Sequence, residues 1–163
     1  LDAGPIIKKI KIKINNSFTT KELSISLSRI GSDTIVEILD DIFRGKVKFT
    51  EQNHKLATYA KKIQKKEAEI NWNESAQKIL AKINGLNPNP GAWFMHKNIR
   101  YKIWRAKIVK KDDQPGKIID EKFTIACGNK SLEVIEIQKE GKNKLFVKDF
   151  LMGVDFKKGD QIK

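Results

Sequence analysis

The stretch Ile83-Asn84-Gly85-Leu86-Asn87-Pro88-Asn89-Pro90-Gly91-Ala92-Trp93 decides how this chain is read. A helix should end at Gly85. Pro88 and Pro90 forbid its continuation, because a proline ring clashes with the preceding turn and has no N–H to give. Upstream, Asn73 is placed to cap a short helix. Its apolar residues Ala76, Ile79, Leu80 and Ile83 fall at i, i+3, i+4 and i+7. Downstream of Gly91 the pattern turns to β. Strands are expected near residues 92–96, 99–109, 117–120, 122–127 and 131–138, with turns at Lys97-Asn98, residues 112–116 and Gly128-Asn129. Five short strands with a small helix predict an OB-like barrel. Residues 147–152 should form a short closing helix, and the last ten residues a loosely held tail.

Toward the front, Ile10, Ile12 and Ile14 alternate with Lys9, Lys11 and Lys13. This period of two predicts a half-buried strand over residues 6–14. Thr19 followed by Glu22 is a capping-box pattern. A long helix should run from Thr20 to Phe43, with Leu23, Leu27, Ile30, Ile35, Ile38, Leu39 and Ile42 as its apolar stripe. Gly31 lies inside it, at a cost of about 1 kcal/mol relative to Ala. Gly45 is placed to cap its end, and residues 47–49 to add a short strand. One strand and one helix cannot close a core. Residues 1–50 therefore read as the tail of an α/β domain whose earlier strands precede Leu1. Residues 51–70, polar and charged, read as a linker, leaving residues 71–163 as the barrel domain.

The chain has 163 residues, 33 Lys and Arg, 20 Asp and Glu, and a formal charge of +13. Such a balance calls for an anionic partner, nucleic acid first. Lysine far outnumbers arginine, which also fits a composition biased by an AT-rich genome. The excess is uneven: residues 1–57 carry 10 basic and 7 acidic side chains, and residues 58–163 carry 23 and 13. Cys127 stands alone, so no internal disulfide can form and a reducing compartment fits. The two histidines are far apart without cysteine neighbours, so no metal-ligand spacing is present. No apolar run approaches the ~20 residues needed to span a bilayer.

Several motifs occur together in order: Tyr59-Ala60 with Lys62-Ile63, Glu67 and Ile70 with Trp72, Gly85-Leu86-Asn87-Pro88 with Pro90-Gly91-Ala92-Trp93, Lys102-Ile103-Trp104 with Ala106, Pro115-Gly116, Ala126-Cys127-Gly128, and Asp149-Phe150-Leu151 with Gly153. In this order and spacing, the stretch from Tyr59 to Gly153 resembles the methionyl-tRNA formyltransferases. Leu1-Asp2-Ala3-Gly4-Pro5 looks like that family's active-site loop. Thr20, Leu23, Leu27, Gly31 and Ile35 look like its last catalytic-domain helix. The resemblance implies an α+β chain: the tail of a Rossmann-like α/β formyltransferase domain, a linker, and an OB-like β-barrel with short helices. It also implies formyl transfer from 10-formyltetrahydrofolate to the α-amine of methionine on initiator tRNA, an activity expected in the cytoplasm; a monomer is the default expectation, and no metal is expected. The family has Arg where Asn84 stands, Trp where Asn89 stands and Asp where Asn71 stands. Its catalytic Asn and His and its Ser-Leu-Leu-Pro loop occur nowhere in this sequence.

Amine formylation needs a neutral amine, a polarised formyl carbonyl, a proton acceptor and donors for an oxyanion. Asp2 matches the family carboxylate, and the resemblance gives it the task of orienting the absent His and helping to move the amine proton. For tRNA, phosphates call for Lys and Arg. Lys61, Lys62, Lys65 and Lys66 cluster in the linker, and Arg100, Lys102 and Arg105 share a strand with Tyr101 and Trp104. Alternation puts Lys102 and Trp104 on one face and Tyr101, Ile103 and Arg105 on the other, and one of these faces must be core. The linker lysines are therefore favoured over the aromatics. Asn87 could shape a contact loop or simply a turn. Trp72 and Trp93 read as packing residues, Cys127 as a buried small residue, and His54 and His96 as surface residues. Two competing readings stay open: a related formyltransferase acting on a sugar nucleotide or in folate oxidation, and a non-enzymatic OB-like nucleic-acid module. Salt-dependent tRNA binding separates the first from the main reading, and a compact, independently stable front segment would favour the second.

Overall fold

A computed structural model describes residues 2–162. Leu1, which opens the loop quoted above, lies outside the described residues. The chain divides into two compact units, one of residues up to Asn15 with Glu22–Lys62, the other of Asn16–Lys21 with Ile63 onward.

In the first unit, α1 (Thr20–Phe43) runs through Gly31 without a break, and no residue along it is buried. Ile25, Leu27, Ile35, Val36, Leu39 and Phe43 are all exposed. Its end is a Schellman motif: the Gly45 N–H donates to Ile42 and the Lys46 N–H to Asp41. The strands expected at 6–14 and 47–49 do not form. Their trace is a single antiparallel bridge between Ile6 and Thr50, joined by two 2.9 Å hydrogen bonds. A strand needs a partner for its N–H and C=O groups, and among the described residues the rest of 6–14 has no ladder. Of the alternating isoleucines only Ile12 is half-buried; Ile10 and Ile14 are exposed.

The second unit holds an antiparallel sheet of β1 (Ala92–His96), β2 (Ile99–Val109), β3 (Thr124–Ala126), β4 (Ser131–Lys139) and β5 (Lys144–Phe146). The order is β1-β2-β4-β3, with β5 paired to β4. The named strands do not pair into a closed ring. β1 and β2 match expectation to the residue. Their turn, Lys97-Asn98, has both residues at positive φ, as a two-residue hairpin requires. β3 is shorter than the expected 122–127, and residues 117–120 make only isolated bridges. β5 is an addition the sequence reading missed.

The helix α2 (Ala76–Gly85) buries Ala76, Ile79, Leu80 and Ile83. Its cap is Ser75, whose side chain accepts from the Lys78 N–H, and not Asn73. Gly128 packs directly on the segment that leads into this helix. A Cβ on Gly128 would lie 2.0 Å from the Asn73 carbonyl oxygen. The Gly128 N–H donates to both Trp72 and Glu74 at 2.9 Å.

The core is rich in aromatic rings. Phe94 stacks on Tyr101 at 5.5 Å, and Phe156 meets Tyr101, Phe123 and Phe150 edge-on or tilted. α3 (Val147–Leu151) supplies Val147 and Phe150. The expected loose tail is instead held. Ile162 is buried, its N–H donates to Gly116, and the Ile118 N–H donates to Asp160. Apolar Phe156 and Ile162 outweigh the charged residues between them, and this is why the Lys- and Asp-rich composition misled.

Candidate nucleic-acid interface

The double-proline turn is fastened to β2. Both Asn87-Pro88 and Asn89-Pro90 are cis. The Asn87 side-chain amide donates to the Trp104 carbonyl at 2.9 Å, and the Lys102 ammonium donates to the Pro90 carbonyl at 2.8 Å. Gly91, at φ +80°, lies so close to the Trp104 ring that a Cβ would meet Cη2 at 2.9 Å. Lys102 also sits 5.5 Å from the Trp104 ring centroid, as their shared face requires. Asn87 and Lys102, two of the expected RNA contacts, are therefore bound into this turn.

Tyr101 and Ile103 are buried, so theirs is the core face. Arg105 does not simply continue it. The β2–β4 register shifts on either side of Arg105, a double irregularity that bends both strands and re-aims side chains. Arg105, with Asn16, Asn84 and Lys107, lines a cavity of about 360 Å³.

Trp93, expected to pack, is half-buried against the core. Ala92 and Phe94 point inward, so Trp93 stands on the outer face. Its indole N–H donates to the Lys65 carbonyl at 3.1 Å, and the Ile70 N–H donates to the Trp93 carbonyl. The Arg100 guanidinium lies 5.4 Å from its ring centroid and 3.2 Å from a Glu140 carboxylate oxygen. The second unit thus brings the Lys65 backbone, Trp93 and Arg100 together at one edge of the sheet, while Lys66 lines an open cleft with Trp72, Pro115, Gln161 and Ile162. Lys61 and Lys62 belong to the first unit. All four linker lysines are exposed. Simple alternation along residues 92–94 could have placed Trp93 outward. The Arg100–Glu140 pairing depends on register, which the sequence does not show.

Many other cations are neutralised locally. Glu74 pairs with Lys78 at 2.7 Å and lies 3.7 Å from Lys82. The Lys78 hydrogen bond, with the Lys82 charge, lowers the Glu74 pKa against the opposing effect of burial. Lys107 pairs with Glu133, Lys117 with Asp113 and Lys144 with Glu136. Burial alone would raise the Asp120 pKa, but hydrogen bonds from Lys111 and Thr124 and from the Lys122 N–H bring it down to about 2.

Asp2 is exposed, with φ +57°. Its backbone carbonyl and that of Gly4 both accept from the Gln52 side-chain amide, at 2.8 and 2.7 Å. His96, expected at the surface, is half-buried, its ring packed on Phe156 at 4.6 Å. Cys127 is buried as expected. Among the described residues no His, Cys, Asp and Glu cluster could hold a metal ion, and no helix is long and apolar enough to cross a membrane.

The profile of the family described as formyl transferase, C-terminal domain, matches residues 62–155. A methionyl-tRNA formyltransferase of Pelagibacter ubique is 42% identical over 163 residues, covering 99% of this chain and 53% of the relative. One of Bradyrhizobium diazoefficiens is 38% identical, covering 98% and 52%. The chain spans about half the length of the curated relatives it matches. Among solved structures, HypX of Aquifex aeolicus in complex with tetrahydrofolic acid superposes with a TM-score of 0.68 at 19% identity, covering 99% of this chain and 31% of that one. An N-formyltransferase of Helicobacter canadensis, in complex with folinic acid and dTDP-3-aminofucose, gives 0.59 at 17%, covering 82% and 51%. At these identities the likeness is one of fold.

Proposed function

The chain belongs to the formyl transferase C-terminal domain family, and on that footing we propose that it is the tRNA-holding part of a methionyl-tRNA formyltransferase. The complete enzyme would move the formyl group of 10-formyltetrahydrofolate to the α-amine of methionine on initiator tRNA. The observation that carries this reading is the 42% identity to a methionyl-tRNA formyltransferase along 99% of the chain. The likeness to the sugar-nucleotide enzyme is one of fold at 17%, so the tRNA substrate is preferred.

In this reading residues 1–50 close a Rossmann-like domain, residues 51–70 are the linker, and residues 71–163 form an OB-like tRNA-binding domain. The apolar stripe of α1, none of it buried, supports a covering sheet supplied by that domain. The bent β2–β4 pair supports OB-like curvature. Asp2 would supply the carboxylate of the active-site loop, held by the Gln52 clasp on its backbone. It cannot polarise a formyl carbonyl alone, so the folate pocket and the amine's other partners come from the remainder of the enzyme. Lys61, Lys62, Lys65, Lys66 and Arg100 would meet phosphates. Arg105 would do so from the other side of the strand irregularity. Lys102 and Asn87 would serve through the turn they hold. The enzyme would act as a cytoplasmic monomer.

The test is filter binding of initiator tRNA to the 163-residue chain across a KCl series, alongside a formylation assay. Binding that weakens steeply with salt, and no formyl transfer by the chain alone, are expected. Indifference to tRNA, or turnover without the rest of the enzyme, overturns the proposal.

A further inference from the structure

Arg100 occupies an unusual position among the cations of the second unit. Its guanidinium lies over the Trp93 indole, 5.4 Å from the centroid. A flat cation held against an aromatic face keeps its edge N–H groups free for in-plane acceptors. One such acceptor is already there: Glu140, at 3.2 Å. Beside the pair is an open cleft of about 200 Å³ lined by Arg100, Lys102, Gln138, Glu140 and Gly141. A side chain at Gly141 would meet nothing within 4 Å, so the cleft stays open at the hairpin end. Gln138 is fixed on both sides, accepting from the Trp104 indole and donating to Lys142. Lys102 is fixed to Pro90. The movable members are Arg100 and Glu140, both partly exposed.

We propose that Glu140 is an internal competitor for RNA: its carboxylate occupies the Arg100 guanidinium edge that a phosphodiester oxygen takes when tRNA binds. The inference rests on the tRNA-binding reading and adds a residue that tunes it. Carboxylate and phosphate oxygens are alternative ligands for the same planar fork. Trp93 is the base plate, fixing where the guanidinium lies. Through its bond to the Lys65 carbonyl, Trp93 also ties that position to the linker lysines. A phosphate arriving at Lys65 and continuing along the sheet edge meets Arg100 next. Displacing Glu140 costs one exposed ion pair, and the charge it leaves in the cleft opposes the incoming phosphate.

The experiment is a double-mutant cycle on the 163-residue chain, read by fluorescence anisotropy with labelled initiator tRNA at about 0.15 M KCl, where charges beyond ~8 Å are largely screened. Glu140→Gln should bind about two- to fivefold tighter, the factor that matches loss of an exposed ion pair. Arg100→Gln should weaken binding and reduce the salt slope by about 0.7–0.9. In the Arg100→Gln background, Glu140→Gln should change affinity by less than half as much. Trp93→Leu should weaken the response to Glu140→Gln while Trp93→Phe retains it. Equal tightening with and without Arg100 would mean that Glu140 acts only through net charge, and the competitor role falls. So it does if wild type binds tRNA and Glu140→Gln leaves the affinity unchanged; the tRNA-binding reading then survives. Absence of any salt-dependent tRNA binding sinks both.

Discussion

Replacing Gly128 with Ala should unfold the second unit far more readily than its size suggests. The added Cβ would lie 2.0 Å from the Asn73 oxygen, 2.8 Å from its carbon and 3.3 Å from the Glu74 oxygen. All three obstacles are backbone, so no side chain can swing aside. Either the 71–74 segment or the β3–β4 turn must move. Movement strains the bonds from the Gly128 N–H to Trp72 and Glu74 and the Ala76–Asn129 bond that starts α2. Overpacking against a fixed neighbour costs about 1–3 kcal/mol. Losing one further buried hydrogen bond costs about 1 kcal/mol. Together these give roughly 3 kcal/mol, or a fall in Tm of about 12–24 °C at 4–8 °C per kcal/mol. Tryptophan emission is the right probe, because Trp72, Trp93 and Trp104 all lie in the second unit. The control is Gly31→Ala, whose Cβ would meet nothing within 4 Å. It should stabilise α1 by up to about 1 kcal/mol without moving the tryptophan transition. A Gly128→Ala transition within about 4 °C of wild type would refute the reasoning that this close approach dictates glycine.

Three more outcomes are expected. Burial lowers the His96 pKa below 6.5, aided by Lys97 and opposed by Asp160. The neutral ring is favoured in the fold, so its contribution is complete above about pH 6.5 and is lost as pH falls toward and through the depressed native value. Urea midpoints from pH 8 to 5 should show the decline, and His96→Gln should flatten it. Burial pushes the Cys127 thiol up to about 12, so iodoacetamide at pH 8 should leave the folded chain unlabelled and modify it once denatured, as mass spectrometry would show. Lys65→Gln and Lys66→Gln should each reduce the tRNA salt slope by about 0.7–0.9 with Tm unchanged; an unchanged slope in both would remove the linker from the interface.

The parts of the fold that were legible are those governed by local chemistry. The i, i+3, i+4 spacing gave α1 and α2, the Lys97-Asn98 turn gave the β1–β2 hairpin, and Gly45 gave a cap. What failed depends on partners distant in sequence. Residues 6–14 have a strand's alternation but no ladder to join. Residues 117–120 form bridges only because Gln161 and Ile125 return beside them. The tail is charged on average, yet Phe156 and Ile162 anchor it. The same division holds at the interface. The basic character of the linker was legible, whereas the attachment of Lys102 to Pro90 and of Arg100 to Glu140 required the register. The alternation argument for Arg105 failed because the strand irregularity beside Trp104 resets the faces.

A formal charge of +13 is a poor guide to where an anion would bind, because a cation is available only when no carboxylate already holds it. Lys107 and Lys66 contribute equally to the total. Removing Lys107 would release Glu133, its partner at 2.8 Å, and so add a negative field where a positive one had been cancelled. Lys66, exposed in the linker, carries its charge into solvent. Counterions gather where charge is unpaired, and their release is what ties nucleic-acid affinity to salt. The pairs at Glu74, Asp113, Asp120, Glu133 and Glu136 therefore mask Lys78, Lys82, Lys117, Lys111, Lys107 and Lys144. The exposed linker lysines Lys65 and Lys66 are not among the cations these carboxylates hold. At the β1–β2 edge Glu140 is the carboxylate that holds Arg100, and this is why a single neutral substitution there should be felt by RNA.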